Sequence, residues 1–239
     1  MTDLRDQYRT SVHLNARIDL HDRFSTNPYD FSLWIFDQMT FPSNCHALEV
    51  GCGTGKLWFA NQDRLPPDIQ ITLSDFSIGM VSETRSRLKD QACNFAVCDA
   101  QNPPFSEGIF DVIVGNHMLY HMASPSGTIA NLRRLLKPGG CLYAATNGED
   151  HMQEIFSLIP THMARRPIRT MTEKFPLETG AQLLKKQFSD VRLVKYQDSL
   201  EVTDAEPLAA YCLSLRNFSQ AEHPLSGDSY EDLIDQINT

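Results

Sequence analysis

The stretch that decides the fold is residues 45–56, which read Cys45-His46-Ala47-Leu48-Glu49-Val50-Gly51-Cys52-Gly53-Thr54-Gly55-Lys56. Its first half is an apolar run that ends in an acid, a pattern typical of a buried β-strand. Its second half has glycine at every second position, which predicts a tight turn into a helix that starts near Lys56. Glycine adopts positive φ without strain and lets a ligand approach the backbone closely. The stretch therefore predicts a nucleotide-like ligand over the turn.

Two kinds of glycine turn fit this outline, and one of them can be set aside. The dinucleotide fingerprint G-x-G-x-x-G places its third glycine beside a pyrophosphate. In this chain Lys56 occupies that position, so the dinucleotide pattern fails. The pattern that remains is Glu49-x-Gly51-x-Gly53-x-Gly55, which by itself predicts only a turn.

Composition and charge narrow the class of protein. The 239 residues are 41% hydrophobic and 21% charged, which is ordinary for a globular chain. A net charge of −9 argues against a nucleic-acid partner. No apolar run reaches the length of a membrane span, the first residues lack the apolar core of a signal peptide, and the six cysteines form no C-x-x-C pair. We therefore predict a cytoplasmic protein with free thiols, no membrane partner and no metal.

Strands and helices alternate along the chain, which predicts a doubly wound, mostly parallel α/β sheet covered on both faces. Residues 1–40 are predicted as N-terminal helices, the second starting at Asn27-Pro28 and the first serving as a lid over a ligand. Residues 41–146 are the core, 147–190 a helical cap, and 191–239 a C-terminal part with strands and helices. The predicted seven strands are 45–50, 69–75, 94–99, 110–116, 141–146, 191–196 and 200–203.

Polar residues stand at the ends of consecutive predicted strands, where an open α/β sheet binds its ligands. Asp75 ends the second strand and is suited to accept hydrogen bonds from the two hydroxyls of a ribose. Asp99 ends the third strand and is suited to accept from the exocyclic amine of adenine. Asn116 and His117 end the fourth. The alternative for each aspartate is a local cap or turn.

Residues next to these aspartates complete the predicted adenosine site. The backbone amides of Ala100 or Gln101 are suited to donate to a ring nitrogen. The side chains of Phe76 and Met80 are suited to sandwich the base, although each also fits a place in the core.

Taken together, these motifs resemble class I S-adenosylmethionine-dependent methyltransferases. The motifs occur in the family's order and spacing: Leu48–Gly55, Ser74-Asp75-Phe76-Ser77-x-x-Met80, Cys98-Asp99-Ala100, Phe110-Asp111-Val112-Ile113 and Leu136-Lys137-Pro138-Gly139-Gly140. The similarity is greatest to the type 11 small-molecule group, which includes quinone and natural-product methyltransferases. It covers about residues 45–146.

The resemblance implies a cofactor, S-adenosylmethionine, and the product S-adenosylhomocysteine. It places Glu49 and the turn from Gly51 through Cys52 and Gly53 to Gly55 beside the methionine part of the cofactor. It also implies that Asp75 holds the ribose, that Asp99 and Ala100 hold the adenine, and that the backbone after Asn116 flanks the sulfonium. From the residues alone, Tyr8 or Arg17 in the first helix are candidates to reach the cofactor's carboxylate.

Methyl transfer needs a general base only when the acceptor must lose a proton. The candidates are His117, Tyr120, His121 and His151, which follow the fourth and fifth strands. His117 and His121 are four residues apart and are predicted to share a helix face. No H-E-x-x-H motif or cysteine partner accompanies them, so the pair does not predict a metal site.

We therefore predict transfer of a methyl group to a small-molecule acceptor, by in-line displacement. Two other functions fit the same fold: an aminopropyl-transfer enzyme and a non-catalytic sensor of the cofactor. The first is expected to carry acidic groups after the fourth strand, where this chain has Asn116-His117-Met118-Leu119-Tyr120. The oligomeric state cannot be predicted from the sequence.

Overall fold

Two helices precede the sheet in the computed structural model, which describes residues 11–89, 91–158, 173–214 and 228–237. They are α1 (Val12–Phe24) and α2 (Phe31–Asp37). The predicted start of the second helix at Asn27-Pro28 is wrong, because Asp30 caps α2. Its carboxylate accepts hydrogen bonds from the amides of Ser32 (2.6 Å) and Leu33 (3.3 Å).

The described residues form a five-stranded parallel sheet in the order β3-β2-β1-β4-β5. The order reverses between β1 and β4, so this is the point where an open α/β sheet places a ligand. The strands are β1 (His46–Val50), β2 (Gln70–Asp75), β3 (Cys93–Val97), β4 (Phe110–Asn116) and β5 (Leu136–Ala145).

Helices cover both faces of the sheet, which confirms the doubly wound α/β fold. Ala47 of β1 packs with α2 on one face, whereas the neighbouring Leu48 packs with α5 on the other. This alternation is the two-residue period of a strand buried on both faces. The helices that follow the sheet's first strand are α3 (Lys56–Ala60), α4 (Ile78–Arg87), α5 (Pro125–Leu135), α6 (Gln153–Leu158), α7 (Leu177–Leu184), α8 (Ala205–Ser214) and α9 (Asp228–Ile237).

The two predicted strands at 191–196 and 200–203 are wrong, so the described sheet has five strands rather than seven. Residues 197–201 bond to the loop after α1 instead of to the sheet. Ser199 O accepts from Thr26 N (2.9 Å), and Phe24 O accepts from Glu201 N (2.9 Å). One isolated antiparallel bridge, between Ser25 and Leu200, is formed there.

The C-terminal helices form a separate layer with the N-terminal helix. Leu20 and Phe24 of α1 share a buried cluster with Leu208 and Tyr211 of α8 and Leu233 of α9. None of the helices in the described residues is both long enough and apolar enough to span a bilayer. The division of the chain at residues 40, 146 and 190 stays a prediction.

Candidate functional site

The turn after β1 has the backbone that its three glycines predict. Gly51, Gly53 and Gly55 have φ of 69°, 54° and 72°, all in the left-handed region. The turn is fixed to β2, because Cys52 N donates to Ser74 O (3.0 Å), and to α4, because the Thr84 hydroxyl donates to Gly53 O (2.6 Å). Hydrogen bonds to β2 and α4 therefore hold the glycine turn at the carboxyl end of the central strand.

Asp75 is bonded directly to this turn. One carboxylate oxygen accepts from Gly53 N (3.0 Å) and the other from Ser77 N (2.8 Å). Burial raises the pKa of Asp75, although backbone amides that donate to the carboxylate oppose the shift. Since each carboxylate oxygen has a second lone pair, the group can still accept from two vicinal hydroxyls. The structure thus brings Asp75 and the glycine turn together at the carboxyl ends of the neighbouring strands β1 and β2.

The adenine part of the prediction is only partly reproduced by the geometry. Asp99 accepts from Gln101 N (2.8 Å), so this amide is already used and Ala100 is left as the amide donor of the prediction. Phe76 is 38% exposed, whereas Met80 is 1% exposed and belongs to the core. The prediction that both side chains sandwich the base is therefore corrected. Of the two, Phe76 alone has exposed surface that a base can contact.

Glu49 is buried under the turn and hydrogen-bonded within the protein. It is 3% exposed and accepts from the indole nitrogen of Trp58 (2.7 Å). Burial raises its pKa to about 8, which the Trp58 hydrogen bond opposes and the charge of Asp75 reinforces. The side chain is therefore largely protonated at neutral pH, and it supports the turn from below.

This protonated Glu49 gives a pH-dependent stability. The folded chain keeps a proton that the unfolded chain releases above its ordinary pKa of 4.5, so stability is lost as pH rises toward 8. We expect Glu49→Gln, which keeps an acceptor for Trp58 but cannot ionise, to gain stability over the native protein as pH rises. The difference should grow by at most roughly 1.4 kcal/mol per pH unit between about pH 5 and 8.

Urea unfolding of both proteins across this pH range measures the difference. Histidine titration, which acts in the opposite direction at lower pH, is common to the two proteins and cancels in the comparison. Curves that stay parallel from pH 5 to 8 would show that Glu49 is not protonated in the fold.

The end of β4 carries an unsatisfied buried acceptor. Asn116 Oδ1 is buried and has no hydrogen-bond partner among the described residues. Leaving such an atom unpaired is costly, so it is a candidate contact for a donor group of a ligand. The next residue, His117, has φ of 51°, which turns the chain sharply away from the strand.

The candidate bases are close to one another, but not as a helix face. His117 precedes the short 3-10 helix Leu119–His121, and its left-handed backbone breaks the helical register with His121, so the shared face is wrong. His151 stacks on His21 of α1, with ring centroids 6.1 Å apart and an interplanar angle of 8°. Tyr120 contacts the His121 ring at 4.5 Å. In the described residues no group of histidine, cysteine and acid side chains could hold a metal.

Burial keeps these imidazoles neutral. Desolvation is the largest cause that lowers the pKa of His117, His121 and His151 to about 4, and it also lowers the pKa of His21. At neutral pH each of the four is therefore a neutral ring with one N–H donor and one nitrogen acceptor. His21 was not predicted as a site residue. The sequence does contain a pattern that could have identified it, because His21 lies at helical spacing from three other residues of one α1 face. The four residues of this face all line one cleft: Leu14, Arg17, Ile18 and His21.

Helix α1 covers the glycine turn and borders a cleft of about 2300 Å³. A Cβ at Gly53 would lie 3.0 Å from Leu14 Cδ2, so this side chain rests on the turn. Lys56, at the start of α3, pairs with Asp22 of α1 and with Asp30 (3.3 Å). The cleft begins beside Lys56 and Tyr120, which places it next to the turn rather than over it.

Of the two residues predicted to contact the cofactor's carboxylate, the structure describes only Arg17. Tyr8 lies outside the described residues. Arg17 donates to the hydroxyl (3.1 Å) and the carbonyl (2.7 Å) of Ser214, at the C-terminal end of α8. Arg17 therefore anchors α1 on α8, a contact that was not predicted.

The residues present fit an adenosyl cofactor. The glycine turn has no room for side chains, because added Cβ atoms would meet Met118 at 3.0 Å from Gly51 and Thr84 at 2.7 Å from Gly55, so the turn presents bare backbone. The carboxylate of Asp75 lies at one side of it, and the unpaired acceptor of Asn116 belongs to the neighbouring strand end.

Comparisons with known proteins agree with this fold. A family described as a methyltransferase domain matches residues 48–144. The ubiquinone/menaquinone biosynthesis C-methyltransferase UbiE of Desulfotalea psychrophila is 33% identical over 127 residues, or 52% of this chain and 51% of that protein. A malonyl-[acyl-carrier protein] O-methyltransferase of Acetivibrio thermocellus is 27% identical over 173 residues, or 72% of this chain and 59% of that protein.

A solved structure extends the agreement to the fold. A SAM-dependent methyltransferase from Aquifex aeolicus superposes with a TM-score of 0.55 at 12% identity, and the match covers 73% of this chain and 87% of that one. The chain spans only about half to three fifths of the length of the two curated relatives. The resemblance seen in the motifs is confirmed to this extent: the model of a methyltransferase domain matches residues 48–144 of this chain, and the similar curated proteins are methyltransferases.

Proposed function

We propose that this protein transfers a methyl group from S-adenosylmethionine to a small-molecule acceptor. The observation that carries the proposal is the bond between Gly53 N and the carboxylate of Asp75, which joins the glycine turn after β1 to the ribose acceptor at the end of the neighbouring strand β2. Asn116 Oδ1 is then the acceptor for the amino group of the cofactor's methionine part.

The cofactor, when bound, supplies a methyl group on a sulfonium that is already activated for displacement. The protein's residues then have to position the acceptor and exclude water. The imidazoles of His117 and His151, which follow β4 and β5 in the chain and line the same cleft, are the candidates to take the acceptor's proton. Two contacts support the role of helix α1 as a lid: Leu14 lies against Gly53, and Asp22 pairs with Lys56.

Two further parts of the proposal, the small-molecule acceptor and the cytoplasmic location, are supported by the composition and the cysteines. The net charge of −9 supports a small molecule rather than a nucleic acid as the acceptor. The six cysteines are free thiols, and three of them are buried, which supports a reducing compartment such as the cytoplasm.

Thermal unfolding with added ligand tests the proposal. We expect S-adenosylmethionine and S-adenosylhomocysteine, each at about 100 times its dissociation constant, to raise the melting temperature by roughly 5–10 °C. NAD is the matched control, because Lys56 replaces the glycine that a pyrophosphate needs. A shift with NAD and none with the two adenosyl ligands would contradict the proposal.

A further inference from the structure

One wall of the cleft is built from aromatic rings. Phe31 and Trp34 of α2 and Tyr196 all line it, and we call them the aromatic wall. The Phe31 ring lies 6.0 Å from Trp34 and 5.4 Å from Tyr196, and Trp34 lies 5.2 Å from Tyr196. All three side chains are half-buried, so the wall keeps surface that faces the cleft. Such rings offer a flat apolar partner to another ring.

The aromatic wall contacts a group of three histidines, which come from three separate parts of the chain. We call His21, His117 and His151 the imidazole trio; all three line the same cleft. Phe31 joins the wall to the trio, because its ring lies 5.2 Å from that of His117. Tyr211 of α8 closes the far side, 6.3 Å from His21.

The trio is neutral at neutral pH, because burial lowers the pKa of its members. A neutral imidazole has one N–H donor and one nitrogen acceptor, and it has no charge with which to hold an anion. A hydroxyl group, which both donates and accepts, matches it.

The cations beside the trio are already bonded to other groups. Arg17 donates to Ser214, and Lys56 pairs with Asp22 and Asp30. Asp22, Asp30 and Asp198 also line the cleft. Arg133, Arg192 and Lys195 line the cleft as well, but the charged groups that shift the pKa of the trio are Asp22, Asp198 and Lys56. A carboxylate beside the trio would therefore face two acids, one paired cation and neutral rings, at a desolvation cost. This part of the cleft disfavours an acidic acceptor.

We propose, on the basis of the proposed function, that the acceptor is a planar aromatic ring with a hydroxyl group, held by the aromatic wall and oriented by the imidazole trio. His117 is the proton acceptor, because it touches the wall and follows the end of β4 directly. The acceptor's oxygen forms the new bond to the methyl carbon. The bond from this carbon to sulfur breaks, its electron pair stays on sulfur, and the hydroxyl proton passes to the imidazole of His117 and then to water.

Matched acceptors on one ring system test this proposal. The full chain is incubated with methyl-labelled S-adenosylmethionine and naphthol, naphthoic acid or naphthylamine. We expect naphthol to be methylated at least about tenfold faster than the acid or the amine. Faster transfer to the acid or the amine overturns the inference and leaves the proposed function intact.

Variants separate the roles of the wall and the trio. Trp34→Leu is expected to raise the KM for naphthol about tenfold with little change in kcat, because a stacking partner is lost. His117→Asn, a residue tolerated in the left-handed region, is expected to lower kcat at least about 100-fold. Phe59→Leu, an exposed aromatic outside the cleft, is the control and should change neither constant.

A melting shift with S-adenosylhomocysteine, measured on every variant, shows that the fold and the cofactor site are kept. A shift without methylation of naphthol overturns the inference alone. No shift and no transfer in the unaltered chain overturns the proposed function and the inference with it. A Trp34→Leu variant with unchanged KM contradicts the role of the aromatic wall.

Discussion

Replacing Asp75 with alanine is expected to weaken binding of S-adenosylhomocysteine by roughly 100-fold or more. A carboxylate that accepts from two ribose hydroxyls contributes about 1.5 kcal/mol or more per hydrogen bond, and about 3 kcal/mol corresponds to roughly 100-fold in affinity. Asp75 also holds Gly53 N and Ser77 N, so the substitution loosens the turn as well. Isothermal titration calorimetry measures the loss.

The Asp75→Asn variant separates charge from geometry. Its carbonyl oxygen still accepts from one amide, but the charge and the second acceptor are lost, so we expect an affinity between those of the native and alanine proteins. Urea unfolding without ligand reports how much of each loss comes from the turn itself. Native affinity in Asp75→Ala would remove Asp75 from the cofactor site.

Replacing Gly55 with alanine is expected to lower the free energy of unfolding by about 3 kcal/mol. Two costs add. An alanine at φ of 72° costs about 1–2 kcal/mol, and its Cβ would lie 2.7 Å from Thr84 Cγ2, an overlap that costs a further 1–3 kcal/mol or so. Urea unfolding at fixed pH measures the sum.

Gly139 provides the matched control. Its φ is 80°, but a Cβ there would have no atom within 4 Å. Gly139→Ala should therefore carry the backbone cost alone and destabilise the protein by about 1–2 kcal/mol. Equal losses in the two variants would show that the contact between Gly55 and Thr84 does not constrain the turn.

The core of the fold could be predicted because its signals are local. The run that ends at Val50 and the glycines that follow it fix a strand and a turn, and both lie where the sequence predicts them. The same holds for Asp75 and Asn116, each the last residue of its strand. Apolar runs separated by helical stretches also predict the parallel order of such a sheet.

The errors arise where a distant partner decides the structure. Residues 191–196 have the apolar content of a strand, yet Leu193 and Val194 are 48% and 54% exposed, and the following residues bond to the loop after α1. The cap of α2 depends on two local amides that Asp30 reaches and Asn27 does not, since Asn27 Oδ1 accepts from Tyr29 N (2.9 Å).

The site shows the same division between local and distant signals. His21 is about 130 residues from His151 along the chain, and the packing of α1 brings their rings together. A periodicity of three and four residues identifies the face of α1 but not what it faces. Met80 has the spacing of a ligand contact, and only its 1% exposure assigns it to the core.

A crystal structure with S-adenosylhomocysteine tests the central claim most directly. We predict electron density over the turn from Gly51 to Gly55, with both ribose hydroxyls within hydrogen-bonding distance of the Asp75 carboxylate and the amino group near Asn116 Oδ1. Density for the ligand elsewhere in the chain, with the Asp75 carboxylate bonded to Gly53 and Ser77 alone, would contradict the account.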